Sequence, residues 1–80
     1  MDKKSKKAFK SFMELYGGNQ SLAADGLGYT QARLSQVATG VKDISDSMAA
    51  RIHAVTGVEI SMFDLSENLR KLQKENGYND

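Results

Sequence analysis

Apolar residues recur along this chain at helical spacing. Phe9, Phe12, Met13 and Tyr16 stand at i, i+3, i+4 and i+7, the signature of one buried helical face. The spacing predicts a first helix from about Ser5, stopped by Gly17-Gly18, because two consecutive glycines oppose continuation. Asn19 is placed to cap a second helix, whose small and apolar positions are Ala23, Ala24 and Leu27. Gly28 is the expected turn, since glycine readily takes the positive φ that ends a helix. Thr30 then caps a third helix running to Thr39, with Leu34, Val37 and Ala38 as its inner stripe. Gly40 closes that helix, and residues 40–45 form a loop. Ser45 caps a fourth helix and puts Asp46 in its first turn, where the helix dipole favours an acid. Met48, Ile52 and Val55, with Ala49 beside them, form its inner face, and Gly57 stops it. Ser61-Met62-Phe63-Asp64 has the capping-box form. It predicts a fifth helix from near Met62, carrying Leu65, Leu69 and Leu72 at i, i+4 and i+7.

Phe9, Phe12, Leu27, Leu34, Val37, Ile52, Val55 and Phe63 are therefore the expected core. Gly26 interrupts the second helix at a cost of about 1 kcal/mol against alanine, which predicts either a close approach of the next helix or an early end. The chain has no proline, no β-alternating run and no internal repeat. The expected fold is all-α, five short helices with short connections. One domain spans 1–80, with residues 1–5 as a basic tail and 77–80 as a frayed C-terminus.

Composition narrows the function. The chain lacks cysteine and has a single histidine, His53, so no metal site or disulfide is expected. No apolar run reaches the roughly 20 residues of a membrane helix, and the lysine-rich start is not followed by the apolar segment of a signal peptide. A cytoplasmic protein is expected, with no cofactor, no small-molecule ligand and no membrane partner. The serines and Asp46 sit on different faces without a nucleophile elbow, so no enzyme is expected. Formal net charge is only +1, yet Lys3, Lys4, Lys6, Lys7 and Lys10 crowd the first ten residues. Such a run reads either as a solubilising tail or as an arm that tracks a nucleic-acid backbone.

The outward positions of the third helix are Gln31, Ala32, Arg33, Ser35, Gln36 and Thr39. The set is polar, small and free of acids. Glutamine bonds adenine bidentately and arginine does the same with guanine, so Gln31 and Arg33, followed by Gln36, are the candidate base readers. Thr30, Ser35 and Thr39 suit phosphate or a thymine methyl. Gln20 opens the second helix, where free amides favour a phosphate. Lys42 follows the third helix as a further backbone contact.

Several spaced elements carry a resemblance over about residues 6–66. They are Tyr16-Gly17-Gly18, the alanine-rich helix with its Leu27-Gly28 turn, Leu34-Ser35-Gln36, Gly40, Met48-Ala49-x-Arg51-Ile52, Thr56-Gly57 and Asp64-Leu65. In this order the chain resembles the YdaS/Cro-like family of small prophage-type helix-turn-helix transcriptional regulators. The resemblance implies a lambda-repressor-like fold and binding of double-stranded DNA by the helix from Thr30 to Thr39. One such helix spans too few base pairs to single out one site among about 10⁶ or more competitors, so a homodimer on an inverted repeat is expected. Its seam is expected along Leu65, Leu69 and Leu72. The preferred reading is a Cro-like repressor. The alternative is a protein-interaction module of antitoxin or anti-repressor type on the same fold.

Overall fold

The computed structural model describes residues 2–57 and 59–75. Six helices follow one another among these residues: α1 (Lys3–Glu14), α2 (Gln20–Leu27), α3 (Gln31–Ala38), α4 (Asp46–Val55), α5 (Met62–Leu65) and α6 (Glu67–Glu75). The architecture is all-α. α1 packs on α5, α2 on α3 and α4, α4 on α5, and α5 on α6. Phe9, Phe12, Ala23, Ala24, Leu27, Leu34, Val37, Ile44, Met48, Ala49, Ile52 and Leu65 close around one core.

The expected caps at Asn19, Thr30 and Ser45 are in place, while Ser61 Oγ accepts from the Phe63 amide (3.2 Å) rather than from Asp64 of the expected capping box. Asn19 Oδ1 accepts from the Leu22 amide (3.1 Å), Thr30 Oγ1 from Arg33 (3.2 Å) and Ser45 Oγ from Met48 (3.1 Å). These bonds satisfy amides that a helix start leaves without an internal partner.

Residues 2–5 are not a tail. Asp2 Oδ1 accepts from the Ser5 amide at 2.8 Å and caps α1, while its other oxygen meets the Arg70 guanidinium. The same guanidinium donates to the Phe63 and Asp64 carbonyls at 2.8 Å each. Arg70 thus ties the start of α1 to the end of α5. The Ser5 amide and hydroxyl, with Arg70 adding its charge, hold the Asp2 carboxyl down at about 2. Residues 77–80 lie outside the described residues.

The expected fifth helix is two helices. Ser66 adopts extended backbone (φ −109°, ψ 116°) between α5 and α6. Its buried hydroxyl donates to Asp46 Oδ1 (2.7 Å) and accepts from the Leu69 amide (3.1 Å). The break takes the three leucines off one stripe. Leu65 enters the core, Leu69 packs at its edge, and Leu72 is 43% exposed. Leu65 therefore cannot belong to a dimer seam.

Two positions of the expected core, Val55 and Phe63, and one of the expected inner stripe of α3, Ala38, are not buried. Val55 is largely exposed because the buried stripe of α4 runs through Met48, Ala49 and Ile52 toward Thr56. Phe63 is only half-buried, two residues and so about 200° around the helix from Leu65. Ala38 is exposed, at the edge of the stripe that Leu34 and Val37 define. Gly26 stays helical, and the group that approaches it is the Tyr16 ring rather than a helix backbone. A Cβ there would come within 3.0 Å of Tyr16 Cζ, and closer still to the hydroxyl oxygen.

Candidate nucleic-acid interface

The α2–α3 pair begins with its turn. Gly28 takes the left-handed conformation (φ 74°, ψ 25°). Its amide donates to the Asp25 carbonyl (3.2 Å) and the Tyr29 amide to that of Ala24 (3.0 Å). This is the doubly bonded helix ending that glycine favours. Thr30 then caps α3, so three residues join the two helices. Leu34 and Val37, at 0% and 2% exposure, anchor α3 to the core. Its opposite side is left open.

That open side carries the expected residues. Gln31, Arg33 and Gln36 are exposed, and Ser35 is half-buried. α3 contains no acid. Gln31 Oε1 accepts from the Ser21 hydroxyl at 3.0 Å, so a residue of α2 steadies the first side chain of α3. The Arg33 guanidinium lies 5.4 Å from the centre of the Tyr29 ring, a cation–π distance. Both groups are thereby oriented by neighbours while their remaining donors stay accessible. Thr30 keeps a hydroxyl proton beyond its capping bond. Thr39 instead donates its hydroxyl proton to the Ser35 carbonyl (2.9 Å), which leaves its methyl as the outward contact. Lys42 is exposed, and its amide donates to the Gln36 carbonyl (3.0 Å), folding the loop back on the end of α3. Gln20 and Thr39 line one groove together with Lys6 and Lys10 of α1.

Ser21, Tyr29 and Arg51 were not among the expected site residues, whereas Lys6 and Lys10 belong to the basic run already read as a candidate backbone contact. Ser21 and Tyr29 orient Gln31 and Arg33; the Tyr29-x-x-x-Arg33 spacing (i, i+4) was the legible signal for Tyr29, and Ser21 had none. Lys6 and Lys10 repeat that spacing on α1. Arg51, whose Nη1 is 3.8 Å from where a Gly28 Cβ would stand, brings a further cation to the turn.

The ion pairs among the described residues, Lys4–Asp64 (3.4 Å), Arg70–Asp2 and Lys71–Glu67 (3.9 Å), gather around the start of α1, α5 and α6. Lys6, Lys10, Arg33, Lys42 and Arg51 have no carboxylate within ion-pair distance among those residues. Cations without such a partner are the kind that attract a polyanion. No described cluster of His, Asp or Glu has the grouping of a metal site, and no described helix is long and apolar enough to cross a membrane.

No protein-family model matches the chain, and neither a curated protein nor a solved structure does.

Proposed function

We propose that this protein is a sequence-specific DNA-binding regulator, a Cro-like repressor whose α2–turn–α3 unit is a lambda-repressor-like helix-turn-helix. The observation that carries the reading is the open, acid-free side of α3, with Gln31 and Arg33 each oriented by a neighbour. α3 enters the major groove. Arg33 reads guanine and Gln31 adenine, each through a bidentate pair, and Gln36 reads an adjacent base. Thr30, Ser35, Gln20 and Lys42 meet phosphates, which set register rather than sequence. The Thr39 methyl suits a thymine.

Two copies on an inverted repeat supply the length of site that one α3 lacks. α6 is the proposed seam, through its Leu69 and Leu72 edge, since α3 must remain open for DNA. His53 lies apart from this face: its Nδ1 is 2.8 Å from the Ile60 carbonyl oxygen, so that nitrogen carries the proton and donates. Its bond holds the loop before α5 against α4.

The test is binding to random-sequence duplex DNA over a salt series. Affinity at low salt that falls steeply as salt rises supports the reading. A protein-interaction module of antitoxin or anti-repressor type would show no such binding at any salt.

A further inference from the structure

Lys6 and Lys10 lie one turn apart on α1 and line an open groove of about 380 Å³. Met13 continues their stripe, and Gln20, Ala38 and Thr39 face them from the start of α2 and the end of α3. The lining therefore mixes apolar surface from Met13 and Ala38 with two ammonium groups and one amide. Neither lysine has a carboxylate within ion-pair distance among the described residues, although Lys4 on the same helix is bridged to Asp64. The helix dipole does not account for them, because Lys6 opposes it in the first turn of α1 and Lys10 lies outside both terminal turns. Nothing within the described fold neutralises this pair of charges.

The groove also has a definite position. It runs past the end of α3, the helix assigned above to the major groove. A strand flanking that groove would pass over Thr39 and reach α1. A sugar–phosphate unit matches the lining in kind: the deoxyribose face meets Met13 and Ala38, and the phosphate meets the ammonium groups. We propose that this groove holds the DNA backbone beside the recognition helix, with Lys6 and Lys10 as phosphate contacts and Gln20 as a neutral donor. The lysine-rich start then acts as a helical face of fixed position, not as an arm. The proposal rests on the DNA-binding reading and adds two contacts to it.

The experiment compares K6Q/K10Q with K4Q/K7Q, two variants of equal net charge on the same helix. Far-UV circular dichroism first checks that both are folded. Affinity for duplex DNA is then measured against chloride concentration. K6Q/K10Q should lower the slope of log affinity on log salt by about 2, near one unit per lost phosphate contact. K4Q/K7Q should keep the wild-type slope. Equal losses in both variants, or an unchanged slope in K6Q/K10Q, would overturn the groove assignment while leaving DNA binding intact. Absence of any salt-dependent binding by the wild type would instead remove the DNA-binding reading, and this inference with it. Inorganic phosphate, added at matched ionic strength, should compete no better than chloride. Strong competition would make the groove a site for free phosphate and overturn its assignment to the backbone.

Discussion

Replacing Ser66 by alanine tests the joint on which the C-terminal third of the fold turns. The Ser66 side chain is buried and its hydroxyl makes two bonds: to the Asp46 carboxylate at 2.7 Å and from the Leu69 amide at 3.1 Å. Alanine deletes both and leaves little cavity. Loss of a capping hydroxyl costs about 1 kcal/mol, and a hydrogen bond to a charged group contributes about 1.5–3 kcal/mol. Asp46 keeps its bond from Asn68 Nδ2 (2.8 Å) and is only half-buried, so the lower end of the second range applies. The expected loss is about 2.5 kcal/mol. That is a large share of the roughly 4–12 kcal/mol usual for a chain of this length. Urea titration followed by far-UV circular dichroism measures it, with the slope unchanged if unfolding stays two-state. A double-mutant cycle with Asp46→Ala should return a coupling of about 1–2 kcal/mol. A loss below about 0.5 kcal/mol, or a coupling of zero, would refute the claim that this hydroxyl joins α4 to α6.

Three other perturbations follow from the packing. Leu34→Ala, at a fully buried position that docks α3, should destabilise by about 2–5 kcal/mol in the same titration; a change well under 1 kcal/mol would mean that α3 is not held as described. Gly26→Ala should destabilise the wild type through the Tyr16 ring, yet stabilise a Tyr16→Ala background by up to about 1 kcal/mol, the helix-propensity gain. The sign reversal in paired thermal melts is the check. The Asp2 carboxyl is lowered from 3.8 to about 2, so the folded state favours its charged form. Its contribution is fully present above about 3.8 and is lost as pH falls toward 2. Asp2→Asn should flatten the acid limb of the stability curve in that window, and an unchanged limb would show that Asp2 is not the group titrating there.

The helices before residue 57 were legible because capping residues and apolar stripes agree there. Asn19, Gly28, Thr30 and Ser45 each act locally, and local chemistry is what a sequence displays. The departures share a different cause. Asp2 caps α1 although three of the next four residues are lysines, and what fixes it also includes Arg70, 68 residues later. Ser66 breaks a helix whose leucine spacing reads as continuous, because Asp46 draws its hydroxyl inward from another element. Gly26 predicted an approach of the next helix or an early end, and what meets it is Tyr16, brought there only when the turn after α1 folds back on α2. The candidate site shows the same division. The open residues of α3 could be read from periodicity. Ser21 beside Gln31, and Lys6 and Lys10 beside Thr39, required the tertiary arrangement.

The central claim is that the open side of α3 reads DNA sequence. Selection of bound duplexes from a random pool, run with the wild type and with Arg33→Ala, tests it most directly. The account predicts that the wild type enriches an inverted repeat with half-sites about 34–36 Å apart. It also predicts that Arg33→Ala loses its preference at one guanine-containing base pair per half-site, worth about 1–3 kcal/mol. Failure of the wild type to enrich any sequence, or an Arg33→Ala pool identical to the wild-type pool, would contradict it.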